Sequence, residues 1–467
     1  QLISMNMSGQ YKQGRNISFG AQDVWVGDNF VPIGNPSGQY FNGTFDGQGF
    51  TISNLKIETA SNFVGLFGYV GIGTIVNAGL VGGSFSGNQA VGSLAGGNHG
   101  HISDSYSTAA VSGGVSSSNI GGLVGSNSGG RIERSFSTGS VIAGANSSHI
   151  GGLAGLSTDT IDGSYASGNV SGGSGSDAVG GLVGWLVAGS ITKSFASGNV
   201  VGGTNVGGLV GTNGSGGGIY RTYATGSVTG GNGSFVGGLV GRNESVIDAS
   251  YSFGTVAGGG SSTLGGLVGW NGGSFGYGNW NATANPTLPG VGSGSGGWMF
   301  GLSAAQMNSA SSFSGFNFSS DWYSTGSAAP ILRNSPFVLT LSYGSASQVY
   351  GAVNPSSLTP TYSNLWASDT SAVVSGLSVS TSATSTSPVG SYAVTGVGAS
   401  AVSGTGNNYT IIYVPGTLTV TPKPLTVTGE TAANKVYDGT TNATLSGGTL
   451  VGVVPGDVVN LVEAGAF

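Results

Sequence analysis

The stretch Val179-Gly-Gly-Leu-Val-Gly184 decides how this chain folds, because it returns along much of the sequence at a nearly constant interval. Further copies and variants begin, 27 to 30 residues apart, at Phe63, Val91, Ile120, Ile150, Val206, Val236 and Leu264, which makes eight. A second signature of the form Ile-x-x-Ser-Tyr/Phe-x-x-Gly-x-Val follows the motif. Self-similarity at such a period is typical of solenoids, arrays and propellers.

Composition restricts the class of protein. Glycine accounts for 94 of the 467 residues without a Gly-x-y period, which excludes collagen. Charged residues make up only 6%, and Val, Ile and Leu are plentiful, which excludes a disordered chain. Ser, Thr, Asn and Gly must therefore provide most of the solvated surface, a profile typical of an extracellular β-rich protein.

Charge and cysteine content limit the possible partners. The net charge is −6 and the eleven Lys and Arg residues are scattered, so we expect neither nucleic acid nor an anionic membrane as a partner. The chain has no cysteine, so an exported protein of this size must be stabilised by its repeats. No apolar run is long enough to span a membrane, so we expect no membrane insertion of this segment. Gln1 is not an initiator residue, so we expect the chain to be an interior or processed piece of a longer protein.

The alternation of apolar residues predicts where each repeat bends. Ile132 and Phe136 share parity, but the charged Arg134 between them does not fit a dry core, which indicates a corner. Gly139 and its equivalents mark a second change of parity, and we interpret them as residues that need a positive φ. Each repeat is therefore predicted to form three short strands and three corners, one rung of a parallel β-helix. A propeller is the alternative, but its blades need about 40 residues.

Five segments follow from the limits of the repeats. Residues 1–62 form a lead-in and cap, either a hairpin or the first coil of the solenoid; residues 63–282 form the β-helix; and residues 283–335 form its C-terminal cap. Residues 336–422 are predicted to form a small β-sandwich or β-grasp-like module. Residues 423–467 begin a further β module, which we expect to be truncated because it is small for an independent domain.

The two caps are predicted from bulky side chains and one helix signal. Ser303 precedes good helix formers and is expected to cap a short helix. Aromatic and aliphatic residues are expected to cover the open ends of the solenoid: Trp25, Val31 and Ile33 at the first end, and Trp298, Phe313, Phe316 and Trp322 at the far end.

Three motifs resemble known families. The Gly-Leu-Val-Gly and Ile-x-x-Ser-Tyr pattern resembles the GLUG repeat of large bacterial surface proteins. Val349-Tyr-Gly-Ala-Val-Asn-Pro355 and Tyr413-Val-Pro-Gly-Thr-Leu-Thr-Val420 are similar to the MBG domain, and Lys435-Val-Tyr-Asp-Gly-Thr-Thr441 resembles the start of a YDG domain. The resemblance implies a segment of a filamentous-haemagglutinin-like adhesin, located outside the cell or on its surface. It also implies export by two-partner secretion through an outer-membrane partner, and use in attachment or biofilm matrices.

Carboxylates need attention because parallel β-helices also carry polysaccharide lyases and hydrolases. Glu133 and Asp162 share one repeat position, and on successive rungs they would lie about 5 Å apart, a separation compatible with a retaining glycosidase pair. Thr192 and Tyr220 interrupt the column before Asp248. We favour the interpretation that these acids are solvated corner residues balanced by nearby cations, and we predict no catalytic residues.

No cofactor or metal is predicted. His99 and His101 flank Gly100, but a third ligand at suitable spacing is missing. Bound calcium near Asp159 and Asp162 has no motif to support it, and no glycine-rich loop is followed by Gly-Lys-Ser/Thr.

Three aromatic residues are the candidate ligand-binding residues. Tyr69, Trp185 and Trp270 directly follow copies of the motif, where we place them at exposed corners about three and two turns apart. Sugars stack their apolar faces on such rings. The alternative is that these rings pack under a neighbouring loop.

We therefore expect a non-enzymatic rod from a secreted or cell-surface bacterial adhesin, which mediates attachment or aggregation. Its partners would be an extracellular polysaccharide, a host or cell surface, or further copies of itself, through many weak contacts. Two alternatives remain: a spacer or filament subunit without a specific ligand, and a β-helix polysaccharide lyase or hydrolase.

Overall fold

The computed structural model describes residues 2–466 except 21–23, 27–30, 325, 327, 333–336, 357, 364, 366–369 and 403–408. The chain divides into two compact units, Gln1–Pro336 and Phe337–Phe467. The first is the solenoid, and the second contains the smaller β modules.

The described part of the first unit is a β-solenoid with three faces, and every pairing between its rungs is parallel. Each rung crosses faces 1, 2 and 3 in turn, and faces 1 and 3 carry up to two strand segments per rung. The strands of face 1 are Gln10–Lys12, Thr44–Asp46, Phe67–Val70, Thr74–Val76, Ala95–Asn98, His101–Ser103, Val124–Asn127, Arg131–Glu133, Ala154–Ser157, Ile161–Asp162, Val183–Thr192, Val210–Tyr220, Val240–Asn243, Val246–Asp248, Val268–Asn271, Ser274–Phe275 and Val291–Gly294.

The other two faces complete each turn. The strands of face 2 are Ile17–Ser18, Thr51–Ser53, Gly79–Val81, Tyr106–Ser107, Phe136–Ser137, Tyr165–Ala166, Phe195–Ala196, Tyr223–Ala224, Ser250–Ser252, Tyr277–Asn281 and Trp298–Leu302. The strands of face 3 are Val24–Val26, Lys56–Glu58, Asn62–Val64, Ser84–Val91, Ala110–Gly121, Val141–Ala143, Ser148–Gly151, Val170–Gly172, Asp177–Gly180, Val200–Val201, Val206–Gly207, Val228–Gly230, Phe235–Gly237, Val256–Gly258 and Thr263–Gly265. The predicted parallel β-helix is therefore confirmed, and the lead-in is a coil of it and not a hairpin.

The paired glycines of the motif form the corner between faces 3 and 1. In the rung of Ile120, the strand of face 3 ends at Gly121 and the strand of face 1 begins at Val124, so Leu123 lies at the corner itself. Leu123 and Val124 are both fully buried in the core. A Cβ on the second glycine, Gly122, would lie 2.2 Å from the carbonyl oxygen of Gly152 on the next rung. The motif is thus explained by close packing between rungs.

The predicted corner at Arg134 is confirmed. Arg134 has a φ of 41°, in the left-handed region, and the equivalent Asp104 and Lys193 have φ values of 49° and 46°. The serine that follows closes this corner, because the Ser135 hydroxyl donates to the Glu133 carbonyl at 2.7 Å. Its backbone N–H donates in turn to the hydroxyl of Ser164 on the next rung at 3.1 Å. This double role accounts for the serine of the second signature.

The interpretation of Gly139 and its equivalents as positive-φ residues is wrong. The left-handed glycines of the described chain do not include Gly139, Gly168, Gly198 or Gly226. A Cβ at Gly168 would instead lie 1.9 Å from the carbonyl oxygen of Gly139 on the rung before it. Glycine is needed here because two backbones approach too closely for any side chain.

Aromatic residues stack along the outer surface of face 2. Adjacent rings are nearly parallel, with centroids 4.7–5.1 Å apart and interplanar angles of 3–8°. The Tyr/Phe position of the second signature supplies this aromatic column on six successive rungs: Tyr106, Phe136, Tyr165, Phe195, Tyr223 and Tyr251. Their strand neighbours Ala166, Ala196 and Ala224 point into the core instead.

A buried asparagine ladder, which we did not predict, runs through the interior beneath face 1. Asn98 donates to Asn127 at 2.8 Å, and Asn213 donates to Asn243 at 2.7 Å. Asn243 continues the ladder to Asn271 at 2.6 Å. These amides replace apolar packing at one column of the core, and they pair between rungs because a buried polar group needs a hydrogen-bond partner. Oδ1 of Asn213 is the exception within this column, since it is buried without a partner.

The C-terminal cap lies along the side of the solenoid. Phe313, Phe316 and Trp322 are buried, and Trp322 contacts Tyr223 and Tyr251 of the aromatic column at 6.1 and 5.7 Å between ring centroids. The segment contains the helix Ala304–Met307, the 3-10 helix Ala310–Ser312 and the antiparallel strands Trp322–Tyr323 and Ile331–Leu332. The helix has the predicted serine cap, completed by Gln306 as a capping box.

Five of the expected end-covering residues do not have that role, and three of them, Phe313, Phe316 and Trp322, cover the side of the solenoid instead. Trp298 belongs to the last strand of face 2 and is 65% exposed, and Val31 is 73% exposed. Ile33 is buried, whereas the side chain of Trp25 lies outside the described residues. The bulky residues of the cap are used on the lateral surface because the aromatic column of face 2 needs cover.

The second unit begins with two small sheets and ends with short antiparallel pairs. The first sheet contains Phe337–Ser342, Thr361–Ser363 and Tyr409–Val414, and the second contains Ser345–Val349, Ser378–Thr381, Gly390–Val397 and Gly416–Thr421. The remaining elements are the 3-10 helix Ser371–Val373 and the strand pairs Val374–Ser375 with Ser400–Ala401, Thr426–Thr428 with Thr449–Val451, Thr431–Ala432 with Leu445–Ser446, and Asn442–Ala443 with Gly465–Ala466.

Candidate functional site

The outer surface of face 1 carries partly exposed aromatic side chains together with charged ones. The three candidate residues occupy one register position of this face, so that the pairing of successive strands brings them into a single line. We call this line the recognition column; it consists of Tyr69, Gly97, Ser126, Leu156, Trp185, Thr212, Arg242, Trp270 and Ser293.

The structure corrects two details of the prediction for these residues. Tyr69, Trp185 and Trp270 lie within strands of face 1 and not at corners. Trp185 is four rungs from Tyr69, and Trp270 is three rungs from Trp185. At about 4.8 Å per rung, these separations are roughly 19 and 14 Å along the axis. The corner assignment failed because the paired glycines themselves form the corner.

Two of the rings cover glycines on the sheet. A Cβ at Gly97 would lie 2.6 Å from Cδ2 of Tyr69, and one at Gly272 would lie 2.3 Å from Cη2 of Trp270. The rings therefore rest against bare backbone, and each side chain remains partly exposed. An aromatic ring held against a sheet in this way is ready to stack on an apolar surface with little loss of rotamer freedom.

Each ring of the recognition column also has aromatic or charged neighbours. Tyr69 lies in a cluster of rings, 5.1 Å from Tyr40, 5.6 Å from Phe63 and 5.4 Å from His99 between centroids. Burial raises the pKa of Tyr69. The imidazole of His149 lies 4.8 Å from the Trp185 ring.

Trp270 has a different partner, the guanidinium of Arg242 on the preceding rung. Cζ of Arg242 lies 4.5 Å from the centroid of the Trp270 ring, a cation–π contact, and its Nε donates to Glu244 at 2.9 Å. The arrangement presents an apolar ring, a cation and a carboxylate side by side. Such a surface can combine stacking with polar contacts to hydroxyl or carboxylate groups of a ligand.

Sequence reasoning missed the residues that support these rings. Phe63 and His149 occupy the position before the motif, where the backbone is left-handed with φ values of 58° and 57°. Phe63 is not the first residue of its copy, because Val64 pairs with Val91 and the first copy is one glycine shorter. The sequence did contain one signal for these supporting residues. Bulky or polar residues recur at the position directly before the motif, next to a strand of small residues.

Glu133 and Asp162 are neighbours in register on face 1, as predicted. Each carboxylate is already engaged: Oε2 of Glu133 lies 2.8 Å from Nε2 of His101, and its Oε1 pairs with Arg131. Asp162 accepts a hydrogen bond from the hydroxyl of Thr192. The pair therefore forms part of a surface network of compensated charges.

The remaining histidines and acids do not converge. Among the described residues, no group of three or more His, Cys, Asp and Glu side chains is placed to hold a metal ion. Asp159 accepts from the backbone N–H of Thr160 at 2.6 Å, and Asp104 forms a bidentate pair with Arg134 at 2.6 and 2.7 Å.

The solenoid should lose stability on acidification through His149. Burial lowers the pKa of His149, and the Asp177 carboxylate opposes this shift to a smaller extent. Because the folded chain binds this proton less readily than the unfolded chain, the contribution is complete above about pH 6.5 and is lost as the pH falls below it. The guanidinium concentration at the unfolding midpoint should therefore differ less between pH 7.5 and pH 5.0 in His149→Gln than in the unmodified chain. A His99→Gln variant controls for removal of an imidazole, and equal pH slopes with and without His149 would contradict the expectation.

Three family models match parts of this chain. The GLUG motif matches residues 116–142 and 175–201, the MBG domain (YGX type) matches residues 339–419, and the YDG domain matches residues 421–467. This combination is typical of surface adhesin-like repeat proteins.

Two known proteins are similar to the chain over part of its length. Halomucin of Haloquadratum walsbyi (strain DSM 16790 / HBSQ001) is 37% identical over 108 residues, which cover 22% of this chain and 1% of halomucin. The chain thus spans a very small fraction of the curated relative that it matches. A proposed immunoglobulin A1 protease from Bacteroides ovatus is 22% identical, with a TM-score of 0.31 over 69% of this chain and 86% of that one. Because this score is low, the solenoid assignment rests on the strand pairing itself.

The helices of the described residues are short, and none has the length and apolar character needed to cross a membrane.

Proposed function

We propose that this chain is a non-enzymatic segment of an extracellular or cell-surface adhesin, and that its solenoid contacts polysaccharide through the outer surface of face 1. The observation that carries the proposal is the alignment of Tyr69, Trp185 and Trp270 in one register column. A polymer lying along the axis would reach more than one of these rings. Each contact is weak, and several on one rigid support add through avidity.

The choice of face follows from comparing the three outer surfaces. The aromatic column of face 2 is buried except for Phe195, which is partly exposed, and its Tyr251 hydroxyl donates to the carbonyl of Pro330 in the cap at 2.6 Å. Face 3 presents mainly small residues with isolated exposed aliphatics such as Ile142 and Val201, and its partly exposed rings lie at the corner with face 1, against the rings of the recognition column. Face 1 combines partly exposed rings with the Arg242–Glu244 pair, and this combination suits a carbohydrate with both apolar faces and hydroxyl groups.

The absence of catalysis is part of the proposal. A glycosidase carboxylate needs one oxygen free to protonate the leaving group or to attack the sugar. Both oxygens of Glu133 are occupied by His101 and Arg131, so Glu133 does not meet this need. Oδ1 of Asp162 accepts from the hydroxyl of Thr192, and Asp162 alone does not make a retaining pair. These contacts favour a structural role for the pair.

The finer biological setting is proposed from the resemblance to filamentous-haemagglutinin-like proteins. It includes a bacterial source, two-partner secretion through an outer-membrane partner, and a role in attachment or biofilm matrices. The GLUG, MBG and YDG matches support the coarser description of a surface adhesin-like repeat protein.

The test is a binding screen of the full chain against matrix polysaccharides, with reducing-sugar release followed in the same wells. The double variant Trp185→Ala/Trp270→Ala should bind about 5- to 150-fold more weakly, since each of the two stacking contacts contributes about 0.5–1.5 kcal/mol. Trp298→Ala is the matched control, because it removes a tryptophan that is 65% exposed but lies on face 2. It should bind like the unmodified chain.

Other outcomes would replace the proposal. If the unmodified chain binds no polysaccharide, the spacer or self-assembling filament subunit becomes the better description. Release of reducing sugar that Glu133→Gln abolishes would establish a β-helix hydrolase or lyase. Equal weakening by Trp298→Ala and by the double variant would show binding that does not depend on the recognition column.

A further inference from the structure

A second contact surface lies in the unit formed by residues 337–467, where the MBG-type module meets the YDG-type segment. The strand Ser345–Val349 is followed directly by Tyr350 and Gly351, and these two residues touch a loop of the later segment. The hydroxyl of Tyr350 donates to Oδ1 of Asp457 at 2.9 Å, across 107 positions of sequence.

Gly351 completes the contact from the other side. Its φ is +87°, and a Cβ built on it would lie 2.5 Å from Cγ2 of Val454, so the valine side chain packs where no other residue type would leave room. The backbone N–H of Asp457 donates to the Val454 carbonyl at 3.0 Å, which holds the two contacting residues in one turn.

This contact anchors a segment that has little interior of its own. Val454 is the only buried hydrophobic side chain among the described residues 423–466, and it is 8% exposed. Beside the contact is an open cavity of about 290 Å³, lined by Val389, Pro422, Leu425 and others. Tyr350, Val454 and Asp457 also line this space, so their contacts join the two segments at its wall.

We propose that Tyr350 and Gly351 form a docking surface by which an MBG-type module orients the module that follows it. The partner that fits is a turn carrying an apolar residue and a carboxylate three positions later, as Val454 and Asp457 provide here. The apolar residue fills the space above the glycine, and the carboxylate fixes the direction through the tyrosine hydroxyl.

The experiment measures the spread of distances between the two parts of this unit in the full chain. The chain contains no cysteine, so Ser378→Cys and Ser446→Cys, both at exposed positions, accept one spin label each. Pulsed electron resonance should give a narrow distance distribution in this background. Tyr350→Phe, which removes only the hydroxyl, and Val454→Ala should each broaden it by about twofold or more.

Tyr392→Phe is the matched control, because that hydroxyl donates within its own module to the Pro388 carbonyl at 2.7 Å. It should leave the distribution unchanged. Unchanged widths in both Tyr350→Phe and Val454→Ala would overturn the proposal, as would equal broadening in the control. Circular dichroism of each variant distinguishes a freed segment from an unfolded module.

Discussion

Gly168→Ala should lower the free energy of unfolding of the solenoid by about 3 kcal/mol, the upper end of the usual cost of overpacking. The added methyl would lie 1.9 Å from the carbonyl oxygen of Gly139, and the obstacle is backbone, which cannot rotate away as a side chain would. Relief requires separating two rungs that are held together by hydrogen bonds on all three faces. The measurement is guanidinium unfolding of the full chain, followed by far-ultraviolet circular dichroism.

The matched control is Gly114→Ala in the same solenoid. No heavy atom lies within 4 Å of a Cβ at Gly114, so this variant should unfold within about 0.5 kcal/mol of the unmodified chain. Similar losses in both variants would contradict the close-approach explanation, because the lower entropy of the unfolded chain by itself stabilises a Gly→Ala variant.

Asn243→Leu should cost about 3 kcal/mol, although it makes a buried position more apolar. Asn213 would lose the acceptor of its amide N–H, and Asn271 would lose the donor to its carbonyl oxygen. Each buried polar group left unpaired costs about 1–3 kcal/mol. Unfolding midpoints and amide exchange along face 1 would measure the loss.

The reverse exchange at Leu186 provides a demanding comparison. Leu186 interrupts the asparagine ladder, and Oδ1 of Asn213, its neighbour on the next rung, is buried without a hydrogen-bond partner. Leu186→Asn would supply a donor to that oxygen and should therefore cost less than Asn243→Leu. A larger loss at Leu186 than at Asn243 would mean that apolar packing dominates this column.

Much of the solenoid could be predicted because each rung repeats the same feature. The alternation of a continuous strand would point a charged or polar residue into the core, so the chain must turn a corner there. Arg134 cannot face a dry core, so the corner beside it followed from the sequence, and the left-handed φ of 41° confirms it. The aromatic column followed equally directly, since identical spacing on successive rungs must bring Phe136 over Tyr165.

Two of the errors share one physical origin, which is that glycine recurs in a sequence for two different reasons. A turn that needs a positive φ and a close approach of two backbones leave the same mark in a sequence, and only the distance from Gly168 to the carbonyl of Gly139 distinguishes them. The same ambiguity hid the corner within the paired glycines and placed Trp185 at a bend. The position of the cap was predicted wrongly for another reason. Trp322 covers the aromatic column on the side of the solenoid, and the period of the sequence does not show that this column would otherwise be exposed.

The candidate site was only partly accessible from the sequence. The residue types Tyr69, Trp185 and Trp270 could be selected, but their supporting contacts could not. Arg242 precedes Trp270 by one rung, and His149 precedes Trp185 by a full turn. Such pairs become neighbours only when the register between rungs is known.

The uniform register also bears on how such a chain changes length during evolution. Ile150 and Val179 occupy equivalent positions, so loss of residues 150–178 would bring Val179 directly after His149 and leave each side-chain column continuous. Gain or loss of one repeat therefore preserves the register between the rungs that remain. Recombination between repeats can adjust the reach of the solenoid in steps of about 5 Å. The length of the solenoid can thereby change during evolution without a substitution in the repeats that remain.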